Sequence, residues 1–146
     1  MRIVLQRVKR GSVSINGRKV AEIGAGLVLL LGIAPQDTEE QARYLANKIA
    51  NLRIFEDDAG KMNRSVLEVG GEAIVVSQFT LFADTHKGRR PAYIGAAPPE
   101  IASPLVDRFA ELLSMEGVST QKGEFGAMME VEIVNDGPVT IWIERE

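Results

Sequence analysis

The sequence predicts an α+β fold in a single domain, residues 1–146: a largely antiparallel, barrel-like β-sheet with two helices packed over it. Three observations lead there. Apolar and polar residues alternate with period two near both ends of the chain, as in Met129-Glu130-Val131-Glu132-Ile133-Val134. Two unbroken apolar runs, Leu27-Val28-Leu29-Leu30-Leu31 and Ala73-Ile74-Val75-Val76, read as buried strands, the first covered on both faces. Two further stretches place apolar residues three and four apart behind helix-start signals.

In chain order, Ile3 to Ile15 alternates imperfectly, with Val4, Val8 and Val13 among basic residues, and makes a first strand. Asn16-Gly17 supplies a hairpin turn, and Lys19 to Ile23 is the return strand. Gly24-Ala25-Gly26 turns the chain into the Leu27–Leu31 strand. Pro35-Gln36-Asp37 breaks the pattern, and Thr38 with Gln41 forms a capping box for a helix whose apolar face is Ala42, Leu45, Ile49 and Leu52. Asp57-Asp58-Ala59-Gly60 is a loop, and the Ala73–Val76 strand runs into Ser77. The second helix is expected from Ser103 as N-cap, with Pro104 at its first position, Leu105, Phe109, Leu112 and Leu113 on its apolar face, and Gly117 as its stop. Three strands then close the domain: Val118 to Phe125, Met129 to Val134, and Val139 to Glu144. The last two are expected to flank a tight turn at Asn135-Asp136-Gly137-Pro138.

Composition narrows the function. A chain of 146 residues, 45% hydrophobic and 25% charged, reads as an ordinary soluble globular protein. A net charge of −3 argues against a broad nucleic-acid-coating surface, yet is compatible with a local basic patch gripping one end of an RNA. With no cysteine, there are no disulfides, thiolate metal sites or cysteine nucleophile. A single histidine, His86, rules out multi-histidine metal centres; no metal spacing is visible and no cofactor is expected. Met1 to Arg7 lacks the apolar stretch of a signal peptide, and the longest apolar run, Gly26 to Ile33, is far short of a membrane span. The expected location is the cytosol.

Two segments carry candidate chemistry. In the first, Ser77-Gln78-Phe79-Thr80-Leu81 follows a buried strand directly, so its polar atoms arrive at a sheet edge; the backbone amides of Phe79 and Thr80 suit an oxyanion hole. The same residues also read as strand ends satisfied by Ser77 and Thr80. Thr80 as a nucleophile needs a base, and the one histidine lies six residues on, in the polar loop Asp84-Thr85-His86-Lys87-Gly88-Arg89-Arg90-Pro91. In that loop Lys87, Arg89 and Arg90 form the densest basic cluster of the chain, either a solvated face or a phosphate site. Arg7, Lys9 and Arg10 make a weaker one. In the second segment, proline has no N–H for a sheet ladder, and Asn-Asp-Gly alone would make a turn. Pro138 therefore adds the option of a cis bond with two carbonyls pointing the same way to capture an ammonium; a plain tight turn is the other reading. Phe125 and Met129, with Met128 beside them, read as packing or as the wall of a base-sized pocket.

Taken together, Ser77-Gln78-Phe79-Thr80-Leu81-Phe82-Ala83 and Asn135-Asp136-Gly137-Pro138-Val139-Thr140 closely resemble the two signature motifs of the D-aminoacyl-tRNA deacylase family, SQFTLxA and NxGPxT. The likeness extends to Gln6-Arg7-Val8, to Arg53-Ile54-Phe55 with Gly60-Lys61-Met62-Asn63, and to Gly123-Glu124-Phe125 through Met129; Pro104 departs from it. The resemblance implies hydrolysis of the ester that joins a D-amino acid to the 3′ acceptor end of tRNA, by a homodimer with its active sites at the subunit interface and without a cofactor. Under it, Ser77, Gln78, Phe79 and Thr80 form the catalytic group, the amides of Phe79 and Thr80 facing the scissile ester. Gly137 and Pro138 of one subunit enter the pocket of the other, meet the α-amino group with their carbonyls and leave no room for an L side chain. Arg7 helps to hold that motif, and Phe125 and Met129 flank the terminal adenine. Glycine has no side chain to exclude, so glycyl-tRNA is expected to be cleaved as well. Attack by water activated by the RNA 2′-hydroxyl is the preferred mechanism, and attack by the Thr80 hydroxyl the second. The residues alone leave open a threonine-dependent esterase acting on small acyl esters without RNA, and a non-catalytic RNA-binding or scaffold module.

Overall fold

The structure is a computed structural model describing residues 1–146. Its elements are β1 (Arg2–Ile15), β2 (Arg18–Ile23), β3 (Gly26–Gly32), α1 (Glu39–Asn51), β4 (Phe55–Glu56), β5 (Met62–Arg64), β6 (Glu72–Ser77), a 3-10 turn (Phe79–Phe82), α2 (Pro99–Met115), β7 (Ser119–Lys122) and β8 (Glu130–Glu144). The long strand β1 organises the sheet. Along one edge it pairs antiparallel with β3 through Arg2–Val8 and with β2 through Gly11–Ile15; along the other it pairs antiparallel with β8. The β1–β2 hairpin turns at Asn16 and Gly17, both at positive φ, as the Asn-Gly dipeptide requires.

Beyond β3 the sheet becomes parallel, in the order β3-β6-β7. Each parallel step contains a helix, α1 between β3 and β6 and α2 between β6 and β7, because strands running the same way need a long crossover. The far edge then curls back towards β2. There the side-chain amide of Gln121 in β7 donates to Glu22 O (2.8 Å) and accepts from Glu22 N (3.0 Å), so a side chain stands in for a ladder and the barrel is nearly closed. The sheet is thus mixed, antiparallel around β1 and parallel beyond β3.

Burial follows the pleat. Leu27, Leu29 and Leu31 of β3, with Ala73 and Val75 of β6, join the large core under the helices, whereas Val28, Ile74 and Val76 belong to a second cluster on the opposite face. Helix α1 opens with the capping box at Thr38 and Gln41 and buries Ala42, Leu45 and Ile49. It is tied to α2 by Arg108, whose guanidinium donates to Glu39 Oε1 at 2.7 Å. No helix is long and apolar enough to cross a membrane.

Two expectations are corrected. Helix α2 starts at Pro99, not after Ser103: Pro99 takes the first helical position, and the amides of Ile101 and Ala102 donate to Pro98 O. Pro104 therefore lies inside the helix and leaves the carbonyl of the exposed Glu100 without its helical donor. At the C-terminus, Met129–Val134 and Val139–Glu144 are not partners across a turn. They form one strand, β8, because β1 is long enough to pair with both halves.

Candidate active site

The site begins where β6 runs out. Leu31 of β3 pairs with Ser77, and Gln78 N donates to Leu31 O (2.8 Å), fixing the chain at the sheet edge before it enters the 3-10 turn. The first hydrogen bond of that turn runs from Leu81 N to Gln78 O (3.2 Å). The amides of Phe79 and Thr80 precede it, so the turn does not consume them, as at any helix start. The Gln78 side-chain amide donates to Thr80 Oγ1. His86 stays with Asp84: its Nδ1 lies 2.6 Å from Asp84 Oδ1, and its backbone N donates to the same oxygen (2.9 Å). The backbone hydrogen bond, then the imidazole, holds the Asp84 carboxyl below its ordinary range. No histidine or carboxylate hydrogen-bonds to the Thr80 hydroxyl, and no group of three or more His, Asp or Glu side chains is placed to hold a metal ion.

Beside the turn lies a largely apolar cavity of about 800 Å³. Ile33 and Val76 from the strand ends, Ala97 and Ala102 from the α2 side, and Phe125, Met128 and Met129 from the β7–β8 connection all line it, with Ser77, Gln78 and Phe79 contributing from the turn. The structure thus brings Ser77, Gln78, Phe79, Phe125 and Met129 together, with Thr80 alongside through its bond to Gln78. Tyr93 also lines the cavity and meets the Phe79 ring edge-on, centroids 5.0 Å apart. Sequence reasoning missed Tyr93; its one local signal is an aromatic residue directly after the basic loop.

The Gly137-Pro138 motif is built elsewhere, as a bulge in β8. Between the pairs Gln6↔Thr140 and Val8↔Asn135, β1 advances two residues and β8 five, so β8 carries three extra residues there. Asn135 closes the bulge: its Nδ2 donates to both Arg7 O and Val139 O (2.9 Å each), and Thr140 Oγ1 donates to its Oδ1 (3.3 Å). The Gly137–Pro138 peptide is cis. Arg7 is 5% exposed and lies beneath the bulge; its Nε donates to Asp136 O (3.2 Å) and its Nη1 to Ile54 O (2.6 Å). Arg7, Gly137 and Pro138 do not line the cavity of their own chain. The candidates therefore fall into two groups, one around the 3-10 turn and one on the β8 bulge.

The model of a family described as D-Tyr-tRNA(Tyr) deacylase matches residues 4–144. A protein of Thermomicrobium roseum named D-aminoacyl-tRNA deacylase is 59% identical over 144 residues, covering 99% of this chain and 94% of that protein. One of the same name from Desulfatibacillum aliphaticivorans is 56% identical over the full length of both. Among solved structures, one described as c-Myc DNA Unwinding Element Binding Protein superposes with a TM-score of 0.93 at 41% identity, covering 100% of this chain and 99% of that one. A probable eukaryotic D-amino acid tRNA deacylase shares the fold alone, with a TM-score of 0.85 at 18% identity over 97% of each chain. With the family model spanning nearly all of it and full-length relatives well over half identical, this chain belongs to the D-Tyr-tRNA(Tyr) deacylase family.

Proposed function

We propose that this protein hydrolyses the ester bond of D-aminoacyl-tRNA, releasing free D-amino acid and tRNA, and spares L-aminoacyl-tRNA as a chiral proofreading step of translation in the cytoplasm. The observation that carries this reading is the pair of unconsumed amides at Phe79 and Thr80 on the edge of a cavity walled by Phe125 and Met129. Two N–H donors at a fixed spacing suit the oxyanion of a tetrahedral intermediate, and an aromatic ring with a thioether suits an adenine. An aminoacyl ester is already activated, so positioning and oxyanion stabilisation suffice without a strong base. Thr80, bonded to Gln78 and without a basic neighbour, fits attack by water assisted by the RNA 2′-hydroxyl better than an acyl-enzyme.

The working unit is a homodimer with its active sites at the subunit interface. Its support is twofold: the Gly137-Pro138 bulge does not line its own chain's cavity, and the outer edge of β8 pairs with no strand over fifteen residues. A bulge supplied by the partner brings the Gly137 and Pro138 carbonyls to the α-amino group and meets an L side chain with backbone. A rigid wall that clashes with one enantiomer discriminates more strongly than an apolar pocket does.

The test is a deacylation assay on D-tyrosyl-, L-tyrosyl- and glycyl-tRNA, the last including glycine mischarged on tRNA(Ala). D-tyrosyl and glycyl esters are expected to be cleaved and the L-tyrosyl ester spared. Inert glycyl-tRNA under conditions that cleave D-tyrosyl-tRNA would sink the steric wall. Equal cleavage of small acyl esters without RNA would favour the esterase alternative.

A further inference from the structure

We infer that the loop from Asp84 to Ala92 is a phosphate clamp, holding the RNA backbone that leads away from the esterified end; the inference rests on the deacylase reading of the neighbouring cavity. Lys87, Arg89 and Arg90 are exposed, and none makes an ion pair. Elsewhere Arg18, Arg53, Arg145, Lys9, Lys48 and Lys61 also lack a carboxylate partner, but no three of them fall within four residues of one another in the chain. The one carboxylate of the loop, Asp84, is taken by His86. Three positive charges thus stand unneutralised within four residues of a chain whose net charge is −3. Like charges so close repel one another, and an anionic ligand relieves that repulsion.

The loop is held in place. Asp84 N donates to Ala92 O (2.7 Å) and Ala92 N to Asp84 O (2.9 Å), closing its base. The chain passes directly from that base to Tyr93, whose ring meets Phe79 at the cavity, and Ala97 N donates to Ile33 O (2.8 Å) to secure the return. Chain length alone keeps the Cα of Arg90 within ~11 Å of that of Tyr93. Arg90 therefore stands near the cavity wall, with Arg89 and Lys87 further out along the same loop. An RNA whose end occupies the cavity brings phosphates to this rim, and the guanidinium fork matches a phosphate oxygen pair. A net-negative body with one basic rim confines the grip to the end of the RNA.

The test compares wild-type protein with the K87A/R89A/R90A variant. For binding of fluorescently labelled uncharged tRNA, the slope of log affinity against log salt is expected to flatten by about 2–3 in the variant. Between about 50 and about 200 mM salt the wild type then loses roughly 16- to 64-fold more affinity than the variant does. With D-tyrosyl-tRNA at low salt, KM is expected to rise roughly 10- to 100-fold with little change in kcat. D-tyrosyl-adenosine has no phosphate, so the rise is expected to be absent there. The R89K/R90K variant keeps the charge and is expected to keep the wild-type slope. Coincident slopes for wild type and triple variant overturn the clamp, and so does a flattened slope in R89K/R90K. If the wild type binds tRNA with a loop-dependent slope but cleaves no D-aminoacyl-tRNA, the clamp stands and the deacylase reading falls.

Discussion

Gly137→Ala puts the β8 bulge to a quantitative test. Gly137 has φ +122°, where an L residue is strained by about 1–3 kcal/mol. A Cβ placed there would lie 2.9 Å from Val139 Cγ2 and 3.0 Å from Arg7 Nη2. Neither neighbour gives way freely: Val139 is 8% exposed and Arg7 5%, and the Arg7 guanidinium is anchored by Ile54 O at 2.6 Å. Overpacking of this kind adds about 1–3 kcal/mol, for a total near 4 kcal/mol. At a urea m-value of about 2 kcal/mol/M, the unfolding midpoint should fall by about 2 M. The control is Gly17→Ala in the β1–β2 turn, where φ is +76° but nothing lies within 4 Å of the new Cβ. Strain alone acts there, for about 1–2 kcal/mol. Equal midpoint shifts in the two variants would refute the claim that Arg7 and Val139 enclose Gly137. Activity on D-tyrosyl-tRNA should fall with Gly137→Ala and hold with Gly17→Ala.

Three further outcomes follow from named contacts. Asn135→Ala removes both donors that close the bulge, leaving Arg7 O and Val139 O short of a partner, and should cost about 2–3 kcal/mol in urea unfolding; a loss below about 0.5 kcal/mol would contradict the role of Asn135. Glu39 joins α1 to α2, and the hydrogen bond from Arg108, then that from Arg43, lowers its carboxyl from the ordinary value of 4.5. A lowered folded-state value gives stability that is present above about pH 4.5 and lost as pH falls through the folded value, so the melting-temperature gap between wild type and Glu39→Gln should close on acidification, and a widening gap would reverse the sign. Thr80→Ala should keep most single-turnover activity on D-tyrosyl-tRNA while a substrate ending in 2′-deoxyadenosine loses it; the opposite pattern would identify an acyl-enzyme.

What the sequence made legible is what short-range chemistry decides. Asn16-Gly17 turns the chain because these residue types tolerate positive φ, and Thr38 with Gln41 caps α1 because each reaches the other's backbone across one turn. The both-face burial of Leu27–Leu31 was legible because a strand with helices over one face and a second cluster on the other has no polar position. Where two local signals competed, the reading failed: Ser103-Pro104 looked like a helix start, but Pro98-Pro99 had already begun one turn earlier. Where the deciding partner was remote, no local signal existed. Asn135-Asp136-Gly137 has every residue of a turn, and only the fourteen-residue length of β1 keeps the chain running straight past it. Tyr93 likewise meets Phe79 through a loop whose path no periodicity reports.

The same remoteness explains why the two signature motifs, read side by side, give no picture of one site. Arg7 and Asn135 fasten the Gly137-Pro138 bulge to β1, whereas Ser77 to Thr80 lie beyond β3 at the end of β6, two strands away in the sheet. Two hydrogen bonds, from Arg7 to Asp136 O and from Asn135 to Arg7 O, hold the bulge to β1, and Arg7 is itself anchored on the Ile54 carbonyl. Under the proposal above, a chain that uses both motifs on one ester receives one of them from another copy. On the dimer proposed above, the edge of β8 does two jobs: it meets the partner, and it carries the filter into the partner's cavity. Stability of the bulge and enantiomer choice then become one property, because whatever loosens Arg7 or Asn135 in one subunit displaces the wall that the other subunit's substrate meets.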